Sequence, residues 1–91
     1  MAATNDSEIE FEQALTRTAM GVRNGGWMKL IEDNAHSLNH LTQIRERLEN
    51  ILSTEKAVFT DVREKWMIAV TKAELKYCNK HIEQLLNQES R

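Results

Sequence analysis

The chain is predicted to be all-α: three helices running up, down and up, two of them forming a long antiparallel helical hairpin within a dimeric helical bundle. Three observations carry this. Among 91 residues there is no proline, and all three glycines fall between positions 21 and 26. Nothing therefore punctuates the long remainder as the many turns of a β fold would. Apolar residues recur at three- and four-residue spacing, the period of one helix face. Trp66-Met67-Ile68-Ala69-Val70 is an unbroken apolar run, and successive helical side chains turn by roughly 100°, so this segment is greasy on every side and has to be enclosed. A chain this short buries only about 60% of its unfolded surface, which is why a second chain is expected.

Residues 1–6 are small and polar and read as a flexible tail, leaving 7–91 as one helical domain. Helix 1 is expected over about 7–22. Ser7 and Glu10 have capping-box spacing, and Asp6, Glu8, Glu10 and Glu12 load its start with charge that suits the macrodipole. Its apolar stripe, Phe11, Leu15, Ala19 and Val22, is thin. A connector follows in which Asn24, Gly25 and Gly26 accept left-handed backbone angles.

Helix 2 is expected over about 27–52. Leu41, Ile44, Leu48 and Ile51 form a short coiled-coil seam, interrupted upstream by Asn34 and Ser37; such a polar pair either sets register or marks where the seam leaves its partner. Helix 3 is expected over about 54–88. A turn within 53–61, with Ser53 or Thr54 as cap or Asp61 and Glu64 as a later capping box, competes with one continuous helix of ~95 Å. Ordinary helix lengths favour the turn. Helix 3 carries two stripes. Phe59, Val62, Trp66, Ala69, Ala73 and Tyr77 make the first, and Ile68, Leu75, Cys78, Ile82 and Leu85 the second. One stripe closes the intrachain bundle, and the second is assigned to the contact with another chain.

Several constellations bear on chemistry. Glu32, His36 and His40 stand four apart on one helix row, a spacing at which imidazoles share a metal; Cys78 joins them if the hairpin turns near residue 57. The bland alternative is two histidines beside a seam and a cysteine serving as a small core hydrophobe. Lys65, Lys72, Lys76 and Lys80 line one face of helix 3, with Asp61, Glu64 and Glu74 nearby, and would follow phosphates; the net charge of −2 and the lack of interleaved exposed aromatics make nucleic acid the weaker reading, and a solvated face with Asp61 paired to Lys65 is the ordinary one. No motif joins a nucleophile to a base and an orienting group, so no enzyme and no cofactor are expected. The single Cys78 rules out an intrachain disulfide and fits a reducing compartment. No window approaches ~18 apolar residues, so no membrane span is expected. The first residues lack a signal-peptide pattern, and a cytoplasmic location follows as the default.

Trp27 and Met28 are either a plug for the bundle end or an anchor for another protein. The stretch Arg23-Asn24-Gly25-Gly26-Trp27-Met28-Lys29-Leu30 resembles the first hairpin of small flagellar export chaperones, in which a glycine-plus-tryptophan turn precedes a second amphipathic helix. The resemblance covers helix 1, the connector and the start of helix 2, and helix 3 departs from it; it implies chaperone-like binding. The expected function is thus a non-catalytic protein–protein interaction module (a small chaperone, adaptor or inhibitor). Trp27, Met28, Trp66, Met67, Ile68, Leu75 and Ile82 are the partner-binding residues. The alternatives are a metal-responsive helical regulator using Glu32, His36, His40 and Cys78, and a nucleic-acid-binding helical protein.

Overall fold

The computed structural model describes residues 6–59, 61, 62 and 64–89; all but the last residue of the expected tail lies outside them. The described residues form four helices and no strand: α1 (Asp6–Ala19), α2 (Gly26–Asp33), α3 (Leu38–Val58) and α4 (Lys65–Glu89). The class is as expected, while the count is four where three were expected. No helix is long and apolar enough to cross a membrane.

Helix α1 already includes Ser7, so Ser7 lies within the first turn and is not the cap. The helix ends three residues before Val22. The Val22 amide donates to the Arg17 carbonyl and the Gly21 amide to that of Thr18, both at 3.0 Å. Gly21 stands at φ +77°. This is a Schellman ending, and the left-handed residue it requires is cheapest as glycine. Val22 is thereby turned into solvent, and Thr18 takes the expected stripe's place against the core. Its hydroxyl donates to the Ala14 carbonyl at 2.7 Å, so what faces inward is effectively a methyl group.

The expected second helix is two helices. Asn34 ends α2, its amide side chain donating to the Leu30 carbonyl at 2.8 Å. Ser37 opens α3, its side chain accepting from the His40 amide at 3.3 Å. Asn and Ser side chains compete with the helical ladder by bonding the local backbone, which is how a polar pair breaks a helix without glycine or proline. Gly25, at φ +84°, caps α2 from the other side, and a Cβ there would meet the Lys29 Cβ at 2.5 Å.

Helix α3 runs past Ser53 and Thr54, and the Thr54 hydroxyl donates to the Asn50 carbonyl at 3.1 Å within the helix. The chain turns between Phe59 and Lys65, the Glu64 amide donating to the Asp61 carbonyl at 3.0 Å. Near the start of α3, the Cys78 thiol of α4 meets the Leu41 carbonyl. Near its end, Lys56 shares a cleft with Lys65 and Lys72. That is the order of an antiparallel hairpin.

Phe11 and Leu15 of α1, Leu30 and Ile31 of α2, Leu41, Ile44 and Leu48 of α3, and Cys78 and Ile82 of α4 form one core. Each large side chain removed from water there contributes about 1.5–3 kcal/mol. The shape is elongated: the radius of gyration is 14.5 Å, against about 12 Å for a compact chain of this length. The accessible surface is 6300 Å², against about 5,500 Å² for a compact monomer of this mass.

Candidate protein-binding face

Helix α4 has an inner and an outer side, and they are the reverse of the expected assignment. Cys78 and Ile82 are buried, Leu75 and Leu85 pack against the core, and Thr71 between them is 5% exposed. The second stripe therefore closes the chain's own bundle. Ile82 is buried there, while Leu75 is half-buried and also lines the groove beside Met28. Thr71 is the reason the stripe is continuous: its hydroxyl donates to the Met67 carbonyl at 3.1 Å and leaves its methyl to the core. The first stripe faces out over its middle, with Val62 80% and Trp66 64% exposed and Val70, Ala69 and Ala73 open beside them, while Phe59 is half-buried and Tyr77 packs against the core.

The two tryptophans have different fates. Trp27 is half-buried and packs against the core, the plug of the two readings. Met28, one residue on, is 37% exposed and points toward α4. With Ala73, Tyr77, Lys76 and Lys80 it lines an open groove of about 690 Å³ between α2 and α4. The Tyr77 hydroxyl donates to Glu32 at 2.9 Å. That bond ties α2 to α4, and the carboxylate accepting the proton pushes the phenol's pKa up. Met67 remains 37% exposed, and Ile68 is half-buried in the cleft with Lys56, Lys65 and Lys72. Of the seven expected contact residues, Trp66, Met67 and Met28 are accessible, Ile68 and Leu75 are half-buried at the edges of the two clefts, Trp27 packs against the core and Ile82 is buried within it.

Lys65, Lys72, Lys76 and Lys80 are all exposed. The ion pairs among the described residues join Arg23 and Lys29 to Asp33, and His40 to Glu8, so none of the four lysines has an acidic partner. Those hydrogen bonds, first from Arg23 and then from Lys29, hold the Asp33 carboxyl below its usual range. Glu74, the acid within the lysine row, turns instead toward α3. Burial first, and the charge of Glu55 second, push its pKa up, and one Glu55 oxygen is buried with no hydrogen-bond partner.

The metal alternative is not assembled. Among the described residues no three His, Cys, Asp or Glu side chains come together to hold an ion. The hairpin turns later than residue 57, so Cys78 meets Leu41 and not His36. Glu32 accepts from Tyr77, and His36 is exposed. Burial raises the Cys78 pKa to about 11, which removes the thiolate a ligand or nucleophile requires.

His40 instead organises a polar hub that the sequence did not suggest. Its ring stacks on Phe11 at 3.9 Å, its Nδ1 lies 3.0 Å from the Asn34 side-chain oxygen, and its Nε2 lies 3.0 Å from Glu8. The Asn34 amide nitrogen is committed to the Leu30 carbonyl, so both His40 ring nitrogens face acceptor oxygens. The hub pins α1 to the corner between α2 and α3. Glu8 is 32 residues away in sequence, too far for any local pattern to signal. No family model, curated protein or solved structure matches this chain, so the likeness of residues 23–30 to an export-chaperone hairpin remains one of local sequence.

Proposed function

We propose that the chain is a non-catalytic helical module, cytoplasmic, that binds a partner protein along the outer face of α4 and the adjoining Met28 groove. The carrying observation is Trp66. An indole is among the most costly side chains to leave in water and among the commonest interface anchors, yet it stands 64% exposed beside Val62 and Val70. Grouped apolar exposure of this kind marks interaction sites.

A photo-cross-linking residue placed at position 66, and separately at exposed Arg47 on α3, tests this in cells that express the chain. A discrete protein adduct from position 66 that is lost with Val70→Ser, and none from position 47, is the expected outcome. Equal labelling from both positions, or none from 66, rejects the face. Trp66→Ser/Val70→Ser should fold with unchanged helix content, because neither residue belongs to the core.

A further inference from the structure

We infer that the outer face of α4 receives an acidic amphipathic helix from a different protein. The inference rests on the partner-binding reading above and adds the chemistry of the partner. Lys65, Lys72, Lys76 and Lys80 lie at seven-, four- and four-residue steps, which places them along one side of the helix for about 22 Å. The chain has 14 acids and 12 bases, so opposing charge is plentiful, yet among the described residues none forms an ion pair with these four ammonium groups. Glu74 is turned away toward Glu55, and Glu83, exposed, lines the groove with Lys76 and Lys80 as the one acid in the row. A row of like charges without internal neutralisation costs free energy that an anionic partner recovers, and it steers that partner's approach.

Beside the lysines the surface is aliphatic and aromatic. Ala69 lies with Lys65 and Lys72 in the cleft toward Lys56 of α3, Ala73 lies with Lys76 and Lys80 in the groove that Met28 closes toward α2, and exposed Trp66 precedes the two alanines by three and seven residues on α4. A helix of about four turns, with acids along one edge and leucine-like residues next to them, matches both features at once: its carboxylates reach the lysines while its apolar stripe covers the alanines. Two other occupants fit less well. A second copy laid α4 against α4 would bring lysines against lysines. A nucleic acid would satisfy the lysines but leave the alanines and Met28 without an apolar cover.

The test uses the full chain carrying Trp27→Phe, so that Trp66 is the sole indole. The probes are two synthetic helical peptides of equal length with the same leucine stripe, one flanked by glutamates and one by lysines. The acidic peptide should shift Trp66 emission to the blue and bind at least tenfold more tightly than the basic one. That preference should shrink as salt is raised past about 0.5 M. Lys72→Glu/Lys76→Glu, folded by circular dichroism, should invert the preference. Equal binding of both peptides overturns the charge inference and leaves the protein-binding face standing. Binding of neither, with a monomeric chain and an unshifted Trp66, overturns both. Retention of single-stranded RNA or duplex DNA at low salt in place of peptide, or a dimer that already shields Trp66 at micromolar concentration, also overturns it.

Discussion

At the scale of single residues, Glu74 shows how a side chain that carries no obvious structural role sets a measurable property. Its carboxyl is half-buried against α3, where burial and the neighbouring Glu55 both oppose ionisation. The folded protein therefore holds the Glu74 proton more readily than the unfolded chain does. The sign follows from linkage: ionised Glu74 opposes folding, and the opposition is relieved as pH falls through its raised folded-state value. Asp33 works the other way. Its lowered pKa contributes stability above the ordinary carboxylate range that is lost as pH falls. Glu74→Gln should raise stability by about 0.5–1 kcal/mol, a few degrees in the melting midpoint for a chain of this size. Thermal melts between about pH 7 and pH 4 should show wild type closing that gap from below as Glu74 takes up its proton. A variant no more stable than wild type at the upper end would show that the two carboxylates do not oppose each other.

At the scale of helices, α1 is the element most dependent on a few contacts. Phe11, Leu15 and Thr18 are its buried side chains, and the His40 hub is its polar tie. His40→Ala removes the ring stacked on Phe11 and leaves Glu8 and Asn34 without their shared partner. The expected cost is about 1–3 kcal/mol, and amide exchange should accelerate in α1 ahead of α3. Uniform acceleration across all four helices would mean the hub does not serve α1 in particular. Three of the four expected seam residues of α3, Leu41, Ile44 and Leu48, are fully buried in the core, while Ile51 is half-buried outside it. Two features hid the rest. Asn34 and Ser37 looked like seam polarity and proved to be a cap on each side of a break, which spacing alone does not distinguish. Thr18 and Thr71, absent from the expected stripes, are buried: each bonds its hydroxyl to the carbonyl four residues back and behaves as a small apolar side chain. Thr71 makes the inner stripe of α4 continuous, so the second stripe closes the chain's own bundle in place of the contact with another chain expected of it.

For the whole molecule, the excess of apolar surface around Trp66 was visible in the sequence as an unbroken run, and so was the row of lysines beside it. Their juxtaposition was not, because it depends on which stripe the core takes and on where the hairpin turns. The same late turn sets Cys78 against Leu41 and away from His36, so one change of register dissolves the expected metal cluster and leaves the Trp66 side of α4 exposed. Of that face the least conspicuous members are Ala69 and Ala73. Side chains that end at Cβ let a neighbouring helix axis come to within about 8 Å, whereas bulkier ones hold it nearer 10 Å. Ala73→Leu would therefore act as a spacer: the free chain should melt as wild type does, while the incoming partner is held off by the width of a methyl group or more and its affinity falls at least tenfold. Closeness of approach, set by two missing branches of carbon, would then decide which proteins this chain admits.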